Sequence, residues 1–204
     1  TRCLSDWSSD VCSSDLALDE IAERLGFPIV VKPADQGSSL GLQVAKSRDE
    51  LPRALVAAFS YSSKVLLECH VAGRDLSVSV LEGEPLPIVE AVPRGGVYDF
   101  DARYEFGETD FICPANLDPD VAEQAQELAV DVYELLGCRD VARVDLLCDA
   151  DGGLHVLEAN VIPGLTETSL LPLAADQAGI TFDALIERMI NAALARGGRA
   201  GAQG

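Results

Sequence analysis

The chain has 204 residues, and 48% of them are hydrophobic, which is enough apolar material for one sizeable domain or two small ones. Its 15 basic and 34 acidic residues give a net charge of -19, which argues against a nucleic-acid groove or an anionic membrane surface as the partner. Any phosphate site must therefore be local, built from a few placed cations, backbone N–H groups and metal.

The cysteines and the apolar runs indicate a cytoplasmic protein. Six cysteines show neither a C-x-x-C pair nor a regular framework, which is typical of a reducing compartment. No run of 18 apolar residues and no charged-then-apolar leader is present. We therefore expect neither a membrane-spanning helix nor a signal peptide.

Residues 1–16 differ from the rest of the chain. They have neither helical nor strand periodicity, and they contain the triplet Ser-Ser-Asp twice. We interpret them as a non-native tail that stands in place of a missing N-terminal part.

Residues 17–82 are predicted to form an incomplete first subdomain. A helix ends at Gly26, and a buried strand follows over Phe27–Pro33. Near the end of that strand, Lys32 either lies on the surface or points into a cleft. The Gly/Ser loop Ala34–Gly41 comes next, and it is either an ordinary turn or a loop that closes over phosphate oxygens. It lacks the spacing of a Walker A loop.

The rest of this subdomain is predicted to combine strands with one helix. A short strand over Leu42–Ala45 precedes a helix that has Ser47 as its N-cap and Glu50 at its third position. Two strands follow, Val65–Val71 and Leu76–Leu81.

Two acidic residues, Glu68 and Asp75, flank the turn between those last strands. They are either solubilising residues at strand ends or parts of a nucleotide site. In the second interpretation, backbone groups of Cys69 and Val71 read adenine, and Asp75 binds a ribose hydroxyl.

The remaining elements are assigned to a C-terminal subdomain of residues 83–196. In chain order they are an edge-like strand (Pro87–Val92), a polar-aromatic lid loop (98–107), an amphipathic helix (Asp118–Leu136), a strand hairpin and a last helix (Thr181–Ala195). Residues 197–204 are predicted to be a disordered tail.

The hairpin consists of two short apolar runs, Val141–Cys148 and Leu154–Val161, separated by a polar segment that contains two glycines. The predicted register pairs Cys148 with Gly153. The four polar side chains Arg143, Asp145, Glu158 and Asn160 would then share one surface.

The expected contacts on that surface are specific. Asp145 would face Val156, Arg143 would face Glu158, and Asn160 would lie two residues beyond Glu158 on the same side. Two carboxylates and an amide oxygen suit Mg²⁺ or Mn²⁺. The alternative is a solvated face with an Arg–Glu cross-strand pair.

Five segments, taken in chain order, resemble the D-alanine:D-alanine ligases of the ATP-grasp superfamily over about residues 20–195. They are V-V-K-P…G-S-S-L-G, L-L-E-C-H-V-A-G-R-D, Y-D-F-D-A-R-Y, C-P-A and A-R-V-D…L-E-A-N-V-I-P-G-L-T-E-T-S-L. The resemblance implies an α/β (α+β) ATP-grasp fold, with two α+β subdomains, ATP between them and the N-terminal substrate domain missing.

The resemblance also implies an activity and its partners. The intact protein would be an ADP-forming ligase that joins two D-alanines through a D-alanyl phosphate and supplies D-Ala-D-Ala for peptidoglycan, the cell-wall polymer. It would use ATP and two Mg²⁺ or Mn²⁺ ions, and it would form a homodimer when full length. The truncated chain itself is expected to be inactive.

Carried over residue by residue, the resemblance implies four groups of site residues. The ATP contacts would be Lys32, Gly37, Ser39, Glu68, Cys69, Val71, Asp75 and Arg103. The catalytic groups would be Arg143, Gly164, Ser38 and Tyr104, and the metal ligands Asp145, Glu158 and Asn160. The carboxylate of the second D-alanine would be held by Ser169 and Leu170.

Three positions qualify this assignment. Arg103 stands where the family usually has Lys, and Asp75 stands where it usually has Glu. A tyrosine rather than a phenylalanine at Tyr104 favours dipeptide over D-alanyl-D-lactate formation. Two alternatives stay open, namely another carboxylate-amine ligase of the superfamily and an inactive ATP-binding fragment.

Overall fold

The structure is a computed structural model that describes residues 15–93, 109–166 and 169–200. The helices are α1 (Asp15–Leu25), α2 (Leu51–Phe59), α3 (Pro119–Leu135), α4 (Leu170–Gln177) and α5 (Phe182–Ala200). The strands are β1 (Ile29–Pro33), β2 (Gln43–Ala45), β3 (Val65–Cys69), β4 (Gly73–Leu81), β5 (Glu84–Pro85), β6 (Val89–Pro93), β7 (Thr109–Ile112), β8 (Val141–Asp149) and β9 (Leu154–Asn160). None of the described helices is both long enough and apolar enough to span a bilayer.

The chain divides into two compact units, and the main boundary lies between Ala72 and Gly73, with Pro93 and Thr109 also assigned to the first unit. This unit contains an antiparallel sheet with the strand order β2-β1-β3. Alternate residues of β1, including Ile29 and Val31, are buried in a core that α1 and α2 complete. The same alternation turns Lys32 to the other side of the sheet.

The second unit begins at Gly73 and is built on an antiparallel sheet with the order β7-β6-β4-β8-β9, with β5 beside β4. One side of this sheet carries Val78, Val144 and Leu146, which form a core with Ala125 and Ala129 of α3. A further core joins α4 and α5 to the end of the sheet. The opposite side of the sheet carries Ser77 of β4, Arg143 and Asp145 of β8, and Glu158 and Asn160 of β9.

The predicted division after residue 82 differs from this arrangement. The long apolar strand β4 pairs along all of its residues with β8 and also pairs with β6. A strand that is hydrogen-bonded at both edges and covered on both sides belongs to the sheet of its partner strands, here β6 and β8. For this reason β4 is a central strand of the second unit, and the strand predicted as edge-like, β6, lies between β4 and β7.

Two helix ends also differ from prediction. The helix α2 begins at Leu51, not after Ser47, because Pro52 is compatible with the first turn of a helix but not with its interior. The last helix continues to Ala200, where a disordered tail was predicted from 197. Extending an established helix costs little, and Arg196 forms an ion pair with Asp140. Residues 1–14 and 201–204 lie outside the described residues.

Truncating a buried leucine should separate core packing from helix propensity. Leu171 in α4 is fully buried, whereas Leu135 at the end of α3 is 85% exposed. We expect Leu171→Ala to lower the free energy of unfolding by about 2–5 kcal/mol. Leu135→Ala, the same substitution in a helix, should change it by less than about 0.5 kcal/mol in urea denaturation. Equal losses for the two substitutions would contradict the assignment of Leu171 to the core.

Candidate active site

The hairpin of β8 and β9 contains a β-bulge. Leu146 lies opposite Val156, and Asp145 lies opposite Glu158, so Leu157 has no residue opposite it on β8. One extra residue reverses which side of the sheet the following residues of β9 face. The bulge therefore decides where the polar end of β9 points.

The predicted register was wrong, but the predicted common face is confirmed. Arg143 lies opposite Asn160 instead of Glu158, and Asp145 lies opposite Glu158 instead of Val156. The partners are thus displaced by two residues along β9. Because side chains alternate with a period of two, this displacement keeps the polar side chains on one surface.

The strand β4 extends this polar face. Ser77 lies opposite Asp145, and Asp75 lies opposite Leu147, the next residue of β8 on the same side. The residue assigned to the ribose is half-buried there, on the face that carries the proposed metal ligands.

At the centre of the face, Arg143 and Asp145 form a buried ion pair. The guanidinium donates from Nε to Oδ1 at 2.8 Å and from Nη2 to Oδ2 at 2.7 Å. The hydroxyl of Ser77 donates to the same Oδ1 at 2.7 Å. All three residues are less than 10% exposed. The predicted alternative, a solvated face with Arg143 paired to Glu158, is not what the structure shows.

A second carboxylate fixes the turn of the hairpin. Asp149 accepts hydrogen bonds from the backbone N–H groups of Asp151 and Gly153, and it contacts the Nε2 atom of His155 at 2.8 Å. The hydrogen bond with His155 is the main cause that lowers the pKa of Asp149, followed by the bond from Gly153. The turn is thus held by a carboxylate that favours its ionised form.

The polar face could hold a divalent cation. Asp145 and Glu158 supply two carboxylates, and Glu158 is exposed. Among the described residues no group of three or more His, Cys, Asp and Glu side chains is placed to hold a metal, and Asn160, on the same face as these two carboxylates, is the candidate third ligand. Its Oδ1 accepts from the N–H of Ile162 at 3.0 Å and retains a second lone pair. Such a set suits Mg²⁺, which commonly takes one or two carboxylates plus water and phosphate oxygens.

The chain after β9 brings Gly164 and Ser169 together. A Cβ atom at position 164 would lie 2.6 Å from the Ser169 hydroxyl oxygen, so a side chain there would require that hydroxyl to move. That hydroxyl accepts from the N–H of Thr166 at 3.1 Å, and it does not cap α4, the helix that Ser169 precedes. Leu170 is 6% exposed and anchors α4 in its core.

The first unit pairs Lys32 directly with Glu68. Their Nζ and Oε2 atoms are 2.7 Å apart, with both side chains partly buried. The register places Val30 opposite Glu68 and Lys32 opposite Leu66, so the two charged side chains are diagonal neighbours on one side of the sheet. Lys32 is therefore held on the face away from the core and does not extend freely into solvent.

The backbone of Cys69 points to the open edge of this sheet. The N–H of His70 donates to the carbonyl of Pro28, so this neighbouring pair is hydrogen-bonded. Hydrogen-bonded and non-bonded pairs alternate in an antiparallel ladder, which turns the N–H and C=O of Cys69 away from Ile29. In the described part of the sheet β3 is an edge strand, and half-buried Val71 follows its end.

The Gly/Ser loop after β1 adopts a strained backbone. Ser38 and Ser39 have φ angles of 56° and 58°, in the left-handed region, and exposed Gly37 precedes them. Two consecutive residues with side chains in this region are rare, and such strain is common at ligand-binding sites. Gly41 also has a positive φ, and a Cβ atom there would meet the ring of Tyr61 at 2.6 Å.

Some of the predicted site lies outside the described residues. This applies to Arg103, Tyr104 and the whole lid loop 98–107. Their assignments stay predictions.

The family profile described as "D-ala D-ala ligase C-terminus" matches residues 6–191. The chain belongs to the D-Ala-D-Ala ligase C-terminal family. The match begins inside the segment 1–16, whose non-native origin stays a prediction.

Three related proteins illustrate this membership. A D-alanine–D-alanine ligase of Syntrophotalea carbinolica is 44% identical over 170 residues, which are 83% of this chain and 55% of the relative. The crystal structure of the Bacillus anthracis D-alanine–D-alanine ligase complexed with ATP has a TM-score of 0.71 at 31% identity and covers 89% of this chain and 56% of that one. The VanG D-Ala:D-Ser ligase of Enterococcus faecalis has a TM-score of 0.75 at 27% identity, with 87% and 52% covered.

These likenesses confirm the ATP-grasp fold for this member of the family. The chain spans little more than half the length of the curated relatives it matches, from 55% to 61%. The predicted N-terminal truncation agrees with this coverage.

Among the polar contacts of this family member that were not predicted from sequence, two involve β4. One is the hydrogen bond from Ser77 to Asp145, which no local pattern indicates because the residues are 68 positions apart. The other is the ion pair of Arg74 with Glu90, on the core side of β4. The hydrogen bonds with Glu90 raise the pKa of Arg74. For the Arg74–Glu90 pair, the available signal in the sequence was one charged residue in each of two apolar strands, β4 and β6.

The strain in the Gly/Ser loop can be measured with alanine and glycine variants. Ser39→Ala and Ser39→Gly both remove the hydroxyl and differ only in Cβ. Because φ is positive there, we expect the glycine variant to be the more stable by about 1 kcal/mol. At Ser63, where φ is not positive, alanine should instead be the more stable by about 0.4–1 kcal/mol in chemical denaturation. If the same variant, alanine or glycine, were the more stable at both positions, the backbone of Ser39 would not be strained.

Breaking the central ion pair should be costly. Arg143→Ala leaves the buried Asp145 carboxylate without its main partner, so we expect a loss of about 3–5 kcal/mol in the free energy of unfolding. The matched control is Arg188→Ala, which breaks an ion pair with Glu82 whose side chains are both 40% exposed. It should cost at most about 1 kcal/mol. If Arg143→Ala lowered the free energy of unfolding no more than Arg188→Ala does, the Arg143–Asp145 pair would not be a buried ion pair.

Proposed function

We propose that the protein from which this chain derives is an ATP-dependent ligase that joins two D-alanines and supplies the dipeptide for peptidoglycan synthesis. The observation that carries the proposal is the polar face of the second sheet. There a buried guanidinium, two carboxylates and an amide oxygen converge, in a chain of the D-Ala-D-Ala ligase C-terminal family.

The proposed reaction has two steps. A carboxylate oxygen of the first D-alanine attacks the γ-phosphorus of ATP, the bond to the β-phosphate oxygen breaks, and ADP leaves. The amine of the second D-alanine then attacks the acyl carbon, phosphate leaves, and one proton is released. Both steps develop negative charge, first on the transferred phosphoryl group and then on the tetrahedral carbon's oxygen.

The residues of the second unit suit the stabilisation of that charge. Arg143 is the cation of the face, and its geometry is fixed in advance by two hydrogen bonds to Asp145. Asp145, Glu158 and Asn160 would hold Mg²⁺ or Mn²⁺, two ions being expected from the family. When bound, a divalent ion neutralises phosphate charge and orients the phosphates.

The residues of the first unit suit a nucleotide. Lys32 would contact the phosphates, and the strained loop Gly37–Ser39 would cover them through backbone N–H groups. The outward backbone groups of Cys69 match the donor and acceptor edge of adenine. Asp75, on the polar face of the second unit, is proposed to bind the ribose.

The acceptor is assigned to the segment that follows β9. Gly164 would donate its N–H toward the tetrahedral oxygen. Ser169 and the start of α4 would bind the carboxylate of the second D-alanine, since the N-terminus of a helix favours an anion.

A second candidate function differs only in the acceptor. The likeness to a D-Ala:D-Ser ligase of Enterococcus faecalis favours testing D-serine in place of the second D-alanine. An inactive ATP-binding fragment is the further alternative for the chain alone. A homodimeric state of the full-length protein and a cytoplasmic location stay predictions.

Nucleotide binding tests the proposal on the chain as it stands. We expect the 204-residue chain to bind Mg-ATP in isothermal titration calorimetry, and Lys32→Ala to weaken that binding about tenfold or more, because a charge-assisted phosphate contact is lost. Lys46→Ala, which removes an exposed lysine, is the control and should leave binding unchanged. Absence of Mg-ATP binding would refute the nucleotide site.

Turnover tests the substrate assignment. A protein extended by the native upstream reading frame should release phosphate from ATP with D-alanine, and product analysis should identify the D-Ala-D-Ala dipeptide. A panel with D-serine and D-lactate compares the acceptors. Phosphate release only with a different acceptor would refute the D-alanine assignment while leaving the ligase chemistry intact.

A further inference from the structure

Ser77 of β4 carries a buried hydroxyl that the proposed mechanism does not use. Ser77 lies opposite Asp145 in the β4–β8 ladder and is 6% exposed. Its neighbours Leu76 and Val78 point to the apolar core. A hydroxyl taken out of water is unfavourable unless it is hydrogen-bonded, and here Asp145 Oδ1 is the acceptor at 2.7 Å.

The hydrogen bonds to Asp145 use its two oxygens unequally. Oδ1 accepts from both Arg143 Nε and Ser77 Oγ, which occupies both of its lone pairs. Oδ2 accepts only from Arg143 Nη2 among the bonds described, which leaves it one lone pair. Without Ser77, the two oxygens would be equivalent partners of the guanidinium fork. The carboxylate could then exchange them by rotation.

We propose that Ser77 is a positioning residue that saturates Oδ1 of Asp145 and so makes Oδ2 the only oxygen of that carboxylate available to a divalent cation. The inference rests on the proposed function, because it assumes that Asp145 is a metal ligand. Ser77 itself does not touch the cation; it acts by orienting a ligand that does. Partners that orient metal ligands typically contribute 10–100-fold to metal affinity.

The test uses direct cation binding, measured as free Mn²⁺ by electron paramagnetic resonance during titration of the 204-residue chain with Mn²⁺ alone. Ser77→Thr and Ser77→Val have nearly the same shape and differ in the hydroxyl. We expect Thr to bind Mn²⁺ within about threefold of the unsubstituted chain and Val to bind it roughly 10–100-fold more weakly. Ser77→Ala should behave like Val.

Two controls separate orientation from a general loss of structure. Ser79→Ala removes another buried hydroxyl from the same side of β4, opposite Arg143, and should leave Mn²⁺ affinity within about twofold. In an Asp145→Ala background, exchanging Thr for Val at Ser77 should have no further effect on Mn²⁺ affinity, because the carboxylate that Ser77 orients is gone. Thermal unfolding of each variant verifies that it is folded.

The outcomes are distinct. Equal Mn²⁺ affinity of the Thr and Val variants would overturn the role of Ser77 while leaving the proposed function intact. No Mn²⁺ binding by the unsubstituted chain would overturn both the inference and the proposed metal site. A Thr–Val difference that persists in the Asp145→Ala background would overturn the inference, since Ser77 would then act on something other than that carboxylate.

Discussion

One extra residue in β9 decides which side of the second sheet the polar side chains of that strand face. If β8 and β9 kept one register from the turn outward, Glu158 and Asn160 would lie on the side of Val144, which packs against α3. Burying those groups without partners would cost several kcal/mol. The bulge at Leu157 resets the alternation, so Ala159 takes the core side and the polar pair takes the other. The apolar core and the polar site can therefore share one hairpin.

The charges on that face show how the fold tolerates a buried site. Arg143 and Asp145 satisfy each other through two hydrogen bonds, and Ser77 supplies a third. Such a pair adds little net stability, but its geometry is set before any ligand arrives. In the first unit, Lys32 and Glu68 form a partly buried pair, and Ser39 keeps a strained backbone. Both units thus hold polar groups in fixed arrangements at a cost in stability.

Several features followed from local sequence. The helix α3 begins where Asp118 caps it and Pro119 opens it, and the side chain of Asp118 does accept from the N–H of Asp120. Strand alternation grouped the polar residues of the hairpin on one face. The register within that hairpin did not follow, because the consecutive apolar residues Val156 and Leu157, where the alternation changes phase, were not interpreted as a bulge. The start of α2 was misjudged because the capping pattern was given more weight than Pro52.

Local sequence was enough to assign the periodic elements, the order of the motifs and the residue types that a phosphate and metal site requires, since these depend on neighbours a few positions apart. Three pairings depend instead on the folded chain: β4 with β8, Asp145 with Glu158, and the Ser77 hydroxyl with Asp145. The strands β4 and β8 are far apart in sequence, and the β8–β9 hairpin changes register at its bulge. The free energy of these pairings comes from the ladder and the core that form together, not from any single segment.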